Sequence, residues 1–594
     1  MFGALALVGA ACAVEPGIAP VGTATDLTTT TIAVTTTTEP DVPTPYGDDV
    51  IVGIGTREAP RSLNPFLDGS DTGVLDLIAP AVHATGYDID PDTFELIPDV
   101  LEAIPSLDNG GIVQAPDGTL TVTVDIASDA IWSDGTPITA SDLQFTYETV
   151  IDPDLPIRSD LRDRYDRIVP ESLVAEGSRL TFTMEPSIEV ELLWDLIIPR
   201  HVVEGTDFLA DWNDTMWAAG GPFQFSSWEP GQFLELTRNP EYAKTTETGD
   251  PLPYLDRVIF RFFEVADTAD PRLRQQFSGR DLDVVTIPFA LSDAESYREI
   301  EGVVVDVAPG MEWGHLNFQF GPGNRNTESR NDNRGYRQAV AQIVDRDGIA
   351  DELDSVALSA VLPLYVPTLE TDPWSRYTVD EVKVAEWLAS LAPDAEPPNA
   401  VEADTDTEET APVVQPRSVL TVANDDPSIV TMAGEIVTAL SDVGFLAELQ
   451  LEDAAVFFGT TFDNGTWDLA SWRFTAGPGL ARAVAFIELF DPDGLPFVGN
   501  NFFRWGTVDS TVNNAAVNRY REIVDELATT VDRNRIIELI TEAETILADE
   551  AVLVPIARTS ADGVAYWGDR VLGVQANPAQ GVMWNVDVWQ RPID

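Results

Sequence analysis

The sequence predicts a mixed α/β protein of several domains, and three observations carry that expectation. A compact apolar run at Val50, Ile51, Val52 and Ile54, ended by Gly55, reads as a buried strand. The strictly alternating run TLTVTVDI, Thr119 to Ile126, reads as a half-buried strand. Two long stretches with apolar residues at helical spacing, Ala515 to Leu527 and Arg533 to Ala548, supply strong helices, the second through Ile536, Ile537, Leu539, Ile540, Ile546 and Leu547. A length of 594 residues allows about three or four domains of ordinary size. No tandem repeat of fixed period points to a solenoid or propeller.

In chain order, the first element is MFGALALVGAAC, an apolar run of signal-peptide core length that closes on Ala10 and Ala11 before Cys12, the only cysteine. This is the pattern of a lipobox. Residues 1–12 therefore read as a lipoprotein signal peptide and Cys12 as the lipid-attachment site, with acyl burial holding the mature chain to the membrane at roughly 0.8 kcal/mol per methylene. Gly9 stands where a larger aliphatic residue is usual, and no Lys or Arg precedes Arg57, which points to a start upstream. A truncated ordinary signal peptide, or a buried N-terminal strand with an incidental thiol, is the other reading. A single cysteine excludes an intrachain disulfide, so an exported chain of this size relies on its own core.

Residues 13–47 read as a disordered linker, rich in Thr and Pro between Thr23 and Pro45, with too little apolar surface to fold. Ordered structure is expected from about Asp48. GIGTRE at Gly53 is not a dinucleotide loop, because the third glycine is absent and no helix pattern follows. The turn Pro116-Asp117-Gly118 leads into the alternating strand and predicts a hairpin. Asp134-Gly135-Thr136-Pro137 then turns the chain, and Thr139 or Ser141 can cap a helix carrying Leu143, Phe145, Tyr147 and Val150. An acidic, Pro-rich tract from Pro393 to Pro416 lies between a helix pattern, Val379 to Leu391, and a strand, Val419 to Ala423, and reads as a flexible surface insertion inside a domain. No later apolar run reaches transmembrane length.

Charge narrows the function. Asp and Glu number 100 against 34 Lys and Arg, a formal charge of −66, so phosphate neutralisation is disfavoured and no nucleic-acid partner is expected. Anionic lipid is equally repelled, which leaves a covalent anchor as the route to a membrane. No G-x-S-x-G elbow is present, and His83, His201 and His315 stand far apart with no H-E-x-x-H, so neither a catalytic triad nor a metal site is expected and no cofactor is called for. Among so many carboxylates an Asp or Glu pair at glycosidase spacing is always available and says little. A secreted hydrolase acting on carbohydrate or ester substrates remains the alternative from another class.

Several motifs, in their order, carry a resemblance. PRSLNPF at Pro60, Pro-Asp-Val-Leu-Glu at Pro98, WSDGTPITASD at Trp132, GPFQFSSWEPGQFLELTRNPEY at Gly221, HLNFQF at His315, YRQAVAQIVDRDGI at Tyr336, WDLASW at Trp467 and WNVDVWQ at Trp584 follow one another along nearly the whole mature chain. Together they resemble the family 5 extracellular solute-binding proteins, the oligopeptide, dipeptide and nickel receptors of ABC importers. The resemblance implies an α/β, two-lobed periplasmic-binding-protein-like fold (type II, cluster C) with an extra domain in one lobe, closing on ligand by hinge bending. It implies a solute-binding domain over 48–594: a first lobe at approximately 48–77, 220–305 and 555–594, an inserted domain at 78–219, and a further lobe at 306–554 holding the acidic insertion 393–416. Asp134 and Gly135 are read as a structural turn and Trp132 as packing.

The resemblance places the ligand site after WDLASW, where peptide receptors pair an extended strand with the ligand backbone and hold its α-ammonium with an aspartate. By spacing, the strand falls on Arg473, Phe474, Thr475 and Ala476, next to Trp472, and the aspartate position falls on Gly477. This departure argues against a free peptide amino terminus as the recognised group. Arg473 is either an anion contact or a surface charge. Asp68, Gly69 and Ser70 resemble the loop that meets ligand from the other lobe, and Trp313 and Asn317 are further candidates. The implied partners are a peptide or other small solute and the permease subunits of an ABC importer. The implied state is a lipid-anchored monomer at the extracellular face of the membrane or in the periplasm. A sensor that keeps the fold but serves no importer is a third reading.

Overall fold

The computed structural model describes residues 49–56, 59–68, 72–264, 271–287, 291–324, 326, 330–380, 382–384, 417–494, 501–508, 510, 512–559 and 561–592. Cys12, the Thr/Pro tract, Gly69, Ser70 and the acidic tract 393–416 lie outside these residues.

Asp49–Thr56 is buried along its whole length, as its unbroken apolar run requires. It sits inside a seven-stranded sheet whose order is Val303–Pro309, Ala561–Trp567, Val284–Ile287, Asp49–Thr56, Arg257–Glu264, Phe233–Arg238 and Phe223–Glu229. Its two neighbours, Arg257–Glu264 and Val284–Ile287, run parallel to it; the outer pairings are antiparallel. Alternate residues feed separate cores on the two faces: Val50, Val52 and Ile54 pack under the helix Thr72–Val82, while Ile51 packs with Ile259, Phe263 and Phe277. This sheet is the frame of the first lobe.

A second unit is inserted between the helix Thr72–Val82 and the strand Phe223–Glu229. The predicted hairpin is there: Ile112–Gln114 and Leu120–Asp125 pair antiparallel, and Arg179–Met184 and Val174–Glu176 complete a four-stranded sheet. The helix Ala140–Val150 covers it, burying Leu143, Tyr147 and Val150. Its start is fixed by Asp142, whose carboxylate accepts from the Thr139 amide (2.8 Å) and hydroxyl (3.0 Å). In WSDGTP the Trp132 ring is fully buried, Gly135 takes the left-handed φ of +83° that its turn needs, and Asp134 accepts from the Thr136 amide and meets His201 at 2.8 Å. The motif builds this unit and does not reach a cleft.

The other lobe is built on a six-stranded sheet in the order Leu446–Glu452, Arg417–Ala423, Leu469–Ala470, Glu312–Phe318 and Arg473–Thr475, with Leu553–Arg558 on the far side of Glu312–Phe318. Helices Pro427–Asp442, Leu480–Glu488, Ala515–Leu527 and Arg533–Asp549 cover it. The segment beginning at Tyr336 forms two helices, Arg334–Ile343 and Arg346–Glu352, because Asp345 caps the second by accepting from the Gly348 amide at 3.1 Å. Asp468 of WDLASW is a buried hub that accepts from the side chains of Asn324, Asn326 and Asn331 and from the Val419 amide.

Sheet pairing locates the passages between the two sheets. Val303–Pro309 lies wholly in the first sheet and Leu553–Arg558 in the second, so the chain passes between the two sheets at 309–312 and 558–561, a few residues beyond the approximate divisions expected near 305 and 555. The two crossings run side by side, joined by Thr559 N–H to the Glu312 carbonyl and by Arg558 Nη1 to the Gly310 carbonyl, each at 2.8 Å.

Candidate functional site

Three bodies of the fold converge on one cavity of about 250 Å³. The first lobe contributes Asp76, from the helix Thr72–Val82. The inserted unit contributes Tyr87, Arg158, Arg164 and Asp195, and the second lobe contributes Pro478 and Arg482. A second cavity of about 250 Å³ shares Leu192 with the first and opens between Phe94 and Gly479. The inserted unit and the second lobe meet beside it through Glu191 and Arg533, 2.5 Å apart.

Local chemistry explains how each side chain gets there. Arg158 precedes the helix Ser159–Tyr165 and is locked to the first lobe: its amide donates to the Phe66 carbonyl at 3.0 Å and its guanidinium to the Pro65 carbonyl and to Asp76 and Asp160, both carboxylates at 3.0 Å. The PRSLNPF segment that receives it is held in turn by buried Asn64, which accepts from the Phe66 amide and donates to the Phe208 carbonyl. Arg164, six residues further on in that helix, pairs with Asp195 through Nη1. Its Nε–H is buried without an acceptor among the described residues. Arg482 stands in the first turn of Leu480–Glu488, a helix that starts at Gly479 with φ +91°, a conformation that needs glycine.

Electrostatics separates the three arginines. Burial pulls Arg164 down, but Asp195 beside it more than restores the charged form, so its pKa rises. Burial lowers Arg482, and the like charge of Arg164 lowers it further; no carboxylate, carbonyl or ring partners its guanidinium among the described residues. Burial raises the Asp76 carboxyl in spite of Arg158. The lining thus holds three arginines against two aspartates, in a chain where acids outnumber bases 100 to 34.

The residues expected from sequence divide into three groups. Arg473–Thr475 is a strand at the edge of the second sheet, paired on one side with Glu312, Trp313 and Gly314. Ala476 N–H donates inward to the Met311 carbonyl at 2.8 Å, so strand alternation turns the Arg473 and Thr475 amides to the open edge. Thr475 is exposed there, Ala476 is buried, and the first atoms a Cβ on Gly477 would meet belong to Arg482, at 2.8 Å.

Core residues form the second group and require corrections. Trp313 and Asn317 are fully buried, and Trp472 is 7% exposed and stacks on Phe503 at 5.7 Å. Phe474 packs on His315 at 4.2 Å and Trp313 at 5.3 Å. None of these four lines either cavity; they pack the sheet against the helix Leu480–Glu488 and its surroundings. Arg473 is corrected too: Asp426 grips it twice at 2.9 Å and Glu312 at 2.5 Å, which leaves two carboxylates where an anion would bind. Asp68, the third case, is exposed where the first lobe meets the inserted unit, its amide donating to the Pro156 carbonyl at 2.9 Å, and it does not line the cavity.

Arg158, Arg164 and Arg482 went unmarked in the sequence. One signal was present: Arg158, Arg162, Arg164 and Arg167 crowd ten residues of a chain poor in bases. Of these, Arg162 is structural, donating to the carbonyls of Ile151, Asp152 and Leu155.

Comparison with known proteins bears on the whole arrangement. Residues 95–491 match the family model described as bacterial extracellular solute-binding proteins, family 5 Middle. The oligopeptide-binding protein AppA of Bacillus subtilis is 25% identical over 259 residues, 42% of this chain and 43% of that protein; the chain thus aligns with less than half of this curated relative's length. Among solved structures, the periplasmic EDTA-binding protein EppA superposes with a TM-score of 0.66 at 20% identity, over 93% of this chain and 98% of that one. A nickel ABC transporter protein from Bacillus halodurans gives 0.66 at 18% identity, over 91% and 100%. At these identities the structural matches speak to the fold, a two-lobed binding-protein architecture.

Proposed function

The chain belongs to the family 5 bacterial extracellular solute-binding proteins, and from that premise we propose that it captures a peptide or peptide-like solute between its lobes and delivers it to the permease of an ABC importer. The observation that carries this reading is the cavity itself, lined by three bodies of the fold in a chain whose two sheets are joined by paired crossing segments on which the lobes can rotate. The open edge of Arg473–Thr475 offers a backbone for strand addition by an extended ligand. Peptide binding is named for AppA of Bacillus subtilis and is taken here as the class of solute. Membership of a binding-protein family replaces the hydrolase alternative.

The mature protein is read as a monomer tethered through a lipid on Cys12. Native mass spectrometry of the purified chain tests solute capture: a co-purified small molecule released on unfolding supports it, and failure of every solute in a peptide panel to bind the ligand-free protein overturns the peptide class. For the tether, Cys12→Ser is expected to move the protein from the detergent phase to the aqueous phase. Identical partitioning of variant and wild type removes the anchor from the reading.

A further inference from the structure

We infer that the three-body cavity is an anion-binding site, in which Arg482 and Arg164 hold a compact oxyanion, the carboxylate of the captured solute. The inference rests on the solute-capture reading and adds the chemistry of the group that is recognised.

Two independent features support it. Arg482 reaches the cavity from the second lobe with no partner among the described residues, although many other guanidiniums in this acid-rich chain have found a carboxylate or carbonyl. Arg164, from the inserted unit, buries an Nε–H with no acceptor among the described residues. A buried unsatisfied donor and an uncompensated charge both cost free energy, and the two occur on like-charged groups facing one cavity. An oxyanion relieves both at once, since a carboxylate accepts several hydrogen bonds and pairs with the Arg482 guanidinium.

The composition of the lining sharpens the point. Asp76 and Asp195 are already engaged by Arg158 and Arg164, and Asp160 outside the lining also pairs with Arg158, so Arg482 is the lining arginine without an ion-pair partner among the described residues. Glycine at 477 lets the Arg482 stem pack directly against the backbone there, where a Cβ would fall 2.8 Å from it. Because Arg164 and Arg482 belong to different bodies, an anion between them also ties the inserted unit to the second lobe, which couples binding to closure.

The test uses the full chain, freed of bound solute by reversible unfolding, and calorimetric titration with citrate or with sulfate at fixed ionic strength. Citrate is expected to bind and sulfate to bind more weakly, which separates a carboxylate site from a general oxyanion site. Arg482→Gln is expected to weaken citrate by roughly ten-fold or more at an unchanged melting temperature, with Arg482→Lys recovering part of the loss. Equal citrate affinity in wild type and Arg482→Gln, or no citrate binding at millimolar concentration, overturns the site. The same variants titrated with N-acetylated peptides and their C-terminal amides separate the two readings. Peptide affinity indifferent to both Arg482 and the terminal carboxylate overturns the anion site and leaves solute capture standing. Citrate binding that depends on Arg482, with no peptide bound, upholds the site and removes the peptide class.

Discussion

His83 is a neutral imidazole buried inside the inserted unit, its ring 5.3 Å from that of Trp217 and its Nδ1 without a partner among the described residues. Burial alone pushes its pKa down to about 4 from the ordinary 6.5. Between those values the unfolded chain binds a proton that the folded chain refuses, so stability falls as pH drops from about 6.5 to about 4 and levels off below. The shift corresponds to about 3 kcal/mol at the acid end of that window. His83→Phe keeps a ring against Trp217 and removes the titration. Urea unfolding at pH 7 and pH 4 is expected to show the variant losing about 3 kcal/mol less than wild type over that interval. Burial depresses His315 in the same direction, but it is present in both proteins and cancels. Equal acid losses would mean that His83 titrates as though exposed.

At the scale of the element, the edge strand Arg473–Thr475 separates binding from folding. Its inward amides hold the lobe together and its outward ones are unused by the sheet, so proline at neighbouring positions should act oppositely. Thr475→Pro removes an outward N–H at an exposed residue and is expected to change unfolding free energy by less than about 1 kcal/mol while weakening a strand-adding peptide by roughly ten-fold. Phe474→Pro removes an inward N–H together with a ring packed on His315 and Trp313, and is expected to cost about 3 kcal/mol or more. Denaturant midpoints and peptide titrations of the pair decide the matter. If Thr475→Pro destabilises as much as Phe474→Pro, the outer edge is in use within the fold.

The same strand marks how far the sequence could be read. The buried strand at Val50 and the cap at Thr139 were legible because each is local, a run of apolar residues or a hydroxyl before a helix, whereas the edge strand's place after WDLASW came from the family resemblance and the spacing from Trp467. Which side chains of the strand face ligand was not legible, because that depends on what covers each face. The helix Leu480–Glu488 and the ring of Phe503 bury Trp313 and Trp472, while Asp426 reaches back across 47 residues to engage Arg473. The cavity was hidden for the same reason, since Asp76, Arg164 and Arg482 meet only once three separately folded bodies are assembled.

For the whole molecule the decisive quantity is the formal charge of −66. Folding concentrates that charge, and repulsion opposes the compact state over distances set by the Debye length, about 30 Å at 0.01 M salt and about 3 Å at 1 M. Opposing this, salt also weakens ion pairs such as Arg179 with Asp125 and Arg519 with Glu542, but pairs at such exposed positions are already screened by solvent and contribute little. The buried pair of Arg337 and Glu550 is screened far less. Repulsion among many unpaired carboxylates therefore outweighs the loss of a few exposed pairs. The melting temperature is expected to rise by several degrees between about 0.01 M and 1 M sodium chloride, most steeply at the low end where the Debye length changes most. Because the lobes share the excess negative charge, closure around a solute is opposed in the same way, so the affinity for an uncharged amidated peptide should rise with salt alongside the melting temperature. Scanning calorimetry across the salt series, paired with titration at each point, checks both. A melting temperature that falls as salt is added would show that specific ion pairs, and not net charge, govern the stability of this fold.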